Sequence, residues 1–178
     1  GLSTAAGNSA SAAGAVYQTG GTVLDFGGSS SDSRFGYSGF GYLEISGGSF
    51  TTKGYTQFGH QSGSYGTLHM TGGSFTFNSG TVPATGVIGD YYGGTLSTRG
   101  GNGHLFLEGG SLTTGSTSIQ LPEDQSQNAP LSAILTVGGN ADVSTAYLLT
   151  GNYQTNAPTS IVNLNGGRLS AGYIQKGS

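Results

Sequence analysis

Few residues in this 178-residue chain have side chains suited to chemistry, and their spacing is the first thing to weigh. Glu44 and His69 stand at the same offset before Gly-Gly pairs at Gly47 and Gly72. Were those segments side by side, the two would form an acid/base couple. The pattern places no third group to orient the imidazole, so the expectation is a surface ion pair worth under about 1 kcal/mol. Asp25, Asp32 and Arg34 share one stretch and form the best cluster for polysaccharide cleavage, in which carboxylates hold Ca²⁺ and a basic side chain takes a proton. Of the eight acids, only Glu123 and Asp124 are adjacent. Gly27-Gly28-Ser29-Ser30-Ser31-Asp32 approximates the Ca²⁺-binding nonapeptide G-G-x-G-x-D-x-U-x. It lacks the third Gly, has Arg34 in an apolar slot and is not tandem, so it is read as coincidence. His60, His69 and His104 fall at different offsets and suggest no metal site. The expectation is therefore no catalytic residues, no metal and no cofactor. Tyr91 and Tyr92, with Tyr37 and Tyr65 in equivalent connecting stretches, make a candidate aromatic strip for sugar rings, against the plainer reading of loops packed on the body.

Composition narrows what could position such groups. The chain has 36 Gly, no Cys and no Trp, and only 7% of its residues are charged, against roughly 25% charged in ordinary domains. Ten Tyr, eight Phe and regularly placed Leu, Ile and Val argue for ordered β structure over disorder. A net charge of −3 leaves no basic footprint for nucleic acid. No polybasic run holds an anionic membrane, and no apolar stretch has the roughly 18 residues a spanning helix needs, so no membrane insertion is expected. The first residue is not Met and no signal peptide precedes it, which reads as a processed product or an excised segment.

The organising element is Gly41–Thr52, G-Y-L-E-I-S-G-G-S-F-T-T. Leu43 and Ile45 alternate with polar residues, Gly47-Gly48 turns the chain, and Ser49-Phe50-Thr51-Thr52 resumes a strand pattern. Gly-Gly pairs at Gly20, Gly47, Gly72, Gly109, Gly138 and Gly166 recur every 25–29 residues, except for an interval of 37 before Gly109. The unit at Gly138 is shifted by one, with Leu135 and Val137 before the pair and Val143 after it, which predicts a bulge. In the first unit Gln18 takes an inward slot. A third element follows each corner: Phe35-Gly36, Phe58-Gly59, Ile88-Gly89, Ile119-Gln120-Leu121, Tyr147-Leu148-Leu149 and Tyr173-Ile174. The long interval reads as two insertions, Asn78–Thr85 and Tyr91–Asn102, and Pro122–Pro130 as a further loop. Three short strands per repeat is the arithmetic of a parallel β-helix, a β-solenoid with about six turns and no helix. Residues 1–178 form one domain, with 1–15 a low-complexity connection and 16–178 the repeats.

The stretch F-G-Y-S-G-F-G-Y-L-E-I-S-G-G-S-F (Phe35–Phe50) resembles the autotransporter-associated β-strand repeat, V-G-x-S-G-x-G-x-L-x-I-x-G-G-x-L/V. Gly103–Gly115 and Val162–Ser170 are similar to its second half. The resemblance implies a right-handed β-helix and a bacterial secreted or cell-surface protein, such as an autotransporter passenger or an adhesin. It implies no activity. The pattern of a membrane β-barrel is missing from the chain, a departure from autotransporters.

The last repeat breaks off after its third strand, and Gly1–Ala15 looks like the connection that normally follows that strand. Such in-phase ends predict copies stacked head to tail into a filament or surface layer, Leu164, Leu169 and Ile174 of one meeting Val16 and Val23 of the next. The expected function is an extracellular, non-enzymatic structural or adhesive solenoid. The alternatives are a fragment of a passenger or glycan-binding adhesin, then a polysaccharide lyase. Expected partners are further copies and surface glycans, with no nucleic acid.

Overall fold

A computed structural model describes residues 5–7, 11–25, 33–52, 56–61, 63–77, 96–99, 101–123, 132–150 and 159–176. Among them are β1 (Ala5–Ala6), β2 (Ala13–Gln18), β3 (Thr22–Asp25), β4 (Ser33–Phe35), β5 (Phe40–Ile45), β6 (Ser49–Thr52), β7 (Thr56–Phe58) and β8 (Tyr65–Phe77). These are followed by β9 (Leu96–Arg99), β10 (Asn102–Thr113), β11 (Ser118–Glu123), β12 (Ser132–Gly138), β13 (Asp142–Thr150), β14 (Thr159–Asn165) and β15 (Arg168–Lys176). No described residue is helical.

All the strand pairs are parallel, and they form three ladders. The first runs β2, β5, β8, β10, β12, β14. The second runs β3, β6 and the far half of β8, then β10 and the near halves of β13 and β15. The third runs β1, β4, β7, β9, β11 and the far halves of β13 and β15. The result is a β-solenoid of about four turns. β2 and β3 lie outside them at one end, β14 and β15 at the other.

The register superposes like on like. Leu43, Leu68, Leu105 and Leu135 form one buried column of the first ladder, and Ile45, Met70, Leu107 and Val137 a second. Phe50, Phe75, Leu112 and Val143 form the column of the second ladder. Strands about 4.8 Å apart let identical rings stack: Phe50 lies on Phe75 with centroids 5.4 Å apart and planes 8° off parallel. Phe35 lies on Phe58 at 5.0 Å and 11°. Each such contact adds about 0.5–1.5 kcal/mol beyond the area it buries. Where the second ladder turns into the third the lining is polar. Thr114 donates to Thr145 Oγ1 (2.8 Å), which donates to the Tyr147 carbonyl (2.9 Å), so the buried hydroxyls are satisfied.

Glycine is required for two distinct reasons. Gly48 has φ +78°, and a Cβ there would run into the Gly20–Gly21 backbone of the neighbouring coil. Gly41 and Gly66 have ordinary φ but sit where strands of the third ladder cross the start of the first. A Cβ on Gly66 would collide with backbone atoms of Phe35, Phe58 and Gly59.

Gln18 occupies the inward slot, buried, with Nε2 donating to the Ser49 carbonyl at 2.8 Å. The unit at Gly138 differs from the expected bulge. Its extra residue is absorbed in the corner, where the Ala141 N–H donates to the Gly138 carbonyl (3.1 Å) and Ala141 is buried. A hydrogen-bonded turn leaves the ladders on both sides in register. The strand between the corners at Gly72 and Gly109 is also corrected: Leu96–Arg99, read as part of an insertion, pairs with β7 and β11 and completes the third ladder. Ile88-Gly89 and Asn78–Thr85 lie outside the described residues. β11 continues through Pro122 to Glu123, and the remainder of Pro122–Pro130 lies outside them.

Two alanine substitutions separate the two uses of glycine. Gly63 has φ +78° with open space around it, so Gly63→Ala costs about 1–2 kcal/mol of backbone strain, a Tm drop of about 2–4 °C per kcal/mol. Gly66→Ala has no φ cost but no room, and its Tm falls further or the chain fails to fold. Equal melting shifts by calorimetry would contradict the close crossing of the ladders.

Candidate functional site

The outward side chains of the first ladder hold the best-developed polar network among the described residues. Alternation in β5 sends Leu43 and Ile45 inward and Phe40, Tyr42 and Glu44 outward. The register then sets Tyr17, Glu44, His69 and Phe106 in one outward row, and Phe40, Tyr65 and Asn102 in another. Glu44 and His69 are neighbours, as expected, with Nδ1 and Oε2 3.8 Å apart.

The expectation that nothing orients His69 is corrected. Tyr42 Oη lies 2.9 Å from Glu44 Oε2 and 3.0 Å from His69 Nδ1, while Glu108 Oε2 lies 2.9 Å from His69 Nε2. The ring also stacks on Phe106, with centroids 5.2 Å apart and planes at 20°. With a neutral His69 carrying its proton on Nε2, the ring donates to Glu108 and accepts from Tyr42. With an imidazolium, Nδ1 donates to Tyr42 Oη, which is then free to donate to Glu44. In both states both nitrogens are engaged, so a substrate proton can be taken up only by breaking this network.

Tyr42 was not singled out in the sequence because its register partners, Ala15 and Thr67, carry no charge. Glu108 was missed because it lies two residues beyond Phe106, the register partner of His69, and makes a diagonal contact. The Tyr42 phenol is pushed up to about 12, by burial first, then by its hydrogen bond to Glu44 and the nearby charge of Glu44. His104 donates to or accepts from Thr136 Oγ1 at 3.2 Å and tilts on Phe106. Burial lowers its pKa, and the charge of His69 lowers it further.

A second cluster lies on the third ladder. Tyr37 stacks on His60 at 4.7 Å, and the Arg34 guanidinium carbon sits 5.0 Å from the Tyr37 centroid. Gln57 Oε1 accepts from Arg34 Nε (3.3 Å) and lies 2.6 Å from His60 Nδ1. Tyr37, a candidate sugar contact, is thus half-buried in a stack, whereas Tyr65 is exposed on the first ladder. Tyr91 and Tyr92 lie outside the described residues, as do Gly27–Asp32, Asp124 and the side chains of Asp25 and Glu123. The Asp25–Asp32–Arg34 cluster is therefore represented by Arg34 alone. Among the described residues no three His, Cys, Asp or Glu side chains are placed to hold a metal ion.

Of the residues expected at the rod ends, Val16 and Leu169 are partly buried. Val23 (37% exposed), Leu164 (60%) and Ile174 (71%) are open to solvent. No protein-family model, curated protein or solved structure matches the chain.

The two shifted groups give a pH dependence with defined sign. Folded Tyr42 keeps its proton above the pKa of 10.0 of a free tyrosine. Its contribution to stability is intact below about pH 10 and fades as pH rises through about 12. His104 is depressed below 6.5, so its contribution is intact above about pH 6.5 and is lost as pH falls through the folded value. By NMR the His104 ring is expected to titrate below 6.5, and His69→Gln to move its midpoint back up. An unmoved His104 midpoint in that variant would contradict the coupling.

Proposed function

We propose that this protein is an extracellular, non-enzymatic β-solenoid with a structural or adhesive role, and that copies stack head to tail into a filament or surface layer. In this reading the coil is right-handed, has six turns when the outer layers are counted, and is related to the autotransporter-associated β-strand repeat. The observation that carries it is the placement of apolar residues in the outermost strands, three of them exposed and two partly buried. Val16 and Val23 stand in register with buried Leu43 and Phe50, and Leu164, Leu169 and Ile174 with buried Val137, Val143 and Leu148. These are core-column positions with one side open, beside strand edges whose backbone groups invite a further parallel strand. A second copy docked in phase would continue each column, and burying each of these side chains stabilises the contact by up to about 1.5–3 kcal/mol.

The same register favours one other reading, in which the next coil belongs to a longer passenger-like or adhesin chain. Sedimentation and negative-stain electron microscopy at increasing concentration distinguish the two. Head-to-tail stacking predicts rods of growing length, shortened to single units by Leu164→Lys with Ile174→Glu while the monomer's circular dichroism is unchanged. A monomer at every concentration, with no rods on the grid, would overturn self-assembly.

A further inference from the structure

The outward face of the first ladder combines its polar network with exposed aromatic rings that the network does not engage, Tyr17, Phe40 and Tyr65. Of the five Lys and Arg residues, the four that are described, Arg34, Arg99, Arg168 and Lys176, lie in strands of the other two ladders. The face carries the carboxylates of Glu44 and Glu108, together with Tyr17 (66% exposed), Phe40 (48%), Tyr65, Tyr42 and Phe106. At one end of it is an open depression of about 400 Å³ lined by Ala13, Gly14, Ala15, Tyr17, Phe40 and Tyr42. The register explains its shape. Ala13 and Ala15 are the small partners of Phe40 and Tyr42, so two rings on β5 rise beside a low floor on β2. Tyr17 stands at the far end of that floor, its ring 5.8 Å from Tyr42 and tilted by 53°.

We propose that this depression binds a methylated ammonium group, such as the headgroup of a choline-type ligand. Aromatic faces carry negative potential, and a cation within about 6 Å of a ring centroid is attracted by about 0.5–2 kcal/mol. Three rings border the depression, and the Tyr42 hydroxyl lies 2.9 Å from the Glu44 carboxylate, which places an anion beside the ring wall. A quaternary ammonium suits the small apolar floor better than a bare ammonium, because its methyl groups pack on alanine while its charge faces the rings. Complementary charge selects the occupant: beside the rings the face carries the Glu44 and Glu108 carboxylates, with the His69 imidazole between them, and none of the described Lys or Arg side chains. The depression needs no second copy, but its floor strand β2 is also the docking edge that carries Val16, so it is titrated with the chain held monomeric.

The test compares choline with 3,3-dimethyl-1-butanol, its uncharged carbon isostere, titrated into the intact chain and followed by two-dimensional NMR. Choline is expected to shift resonances of Ala13, Ala15, Tyr17 and Phe40 with at least tenfold higher affinity than the isostere. Tyr17→Leu and Glu44→Gln should each weaken it several-fold, while Tyr17→Phe retains it. Tyr17 is exposed, so its variants keep the melting temperature of the parent, which is checked alongside. Equal binding of the isostere would reduce the depression to an apolar patch and overturn the proposal. So would tighter binding of a neutral methyl glycoside, or no choline shifts at about 100 mM, a concentration that detects even Kd values well above 1 mM.

Discussion

Parallel pairing between successive coils is the constraint from which the rest of the molecule follows. Each residue is set one strand spacing from its equivalents in the coils above and below, so a side chain is tolerated only if it can live beside its own kind. Leucine on leucine, phenylalanine on phenylalanine and threonine on threonine meet that condition, and they fill the interior columns and the polar corner. Like charges one strand apart do not. A chain with only 7% charged residues is what such stacking leaves. Where charges do occur in a ladder they meet a different partner: Glu44 lies against Tyr17 and His69, and His69 against Phe106.

The same constraint explains the glycines and the treatment of irregularity. Corners repeat at the same place in each coil, so a side chain at Gly48 or Gly66 would strike the backbone of a neighbouring coil or crossing strand, not open solvent. Extra residues are taken up locally: β11 shifts register against β9 between Gln120 and Glu123. The unit at Gly138 confines its surplus to a turn closed by Ala141, and strand pairing resumes unshifted at Asp142.

On the outer surface the columns become rows, and rows acquire properties that single residues lack. His69 is clamped by Tyr42 and Glu108 and backed by Phe106, which makes it a fixed part of the face and engages both of its nitrogens. Alternating large and small partners, Phe40 over Ala13 and Tyr42 over Ala15, carve a depression out of an otherwise flat sheet. The relief of a solenoid face is therefore set by differences between consecutive repeats, while its stability is set by their sameness.

The sequence by itself determined the strand–corner–strand unit, the inward columns through Leu43 and Phe50, the inward Gln18 and the adjacency of Glu44 with His69. All of these follow from offsets to a recurring glycine pair, and parallel stacking converts equal offsets into contacts. Only the tertiary structure decided the rest. Leu96–Arg99 has a single apolar residue and follows a long insertion, so it becomes a strand because β7 and β11 present edges to it. Glu108 reaches His69 diagonally, across rows that offsets keep apart. Equal spacing in sequence encodes what lies directly above and below, whereas diagonal contacts, corner turns and strands placed by their neighbours depend on the shape of the finished coil.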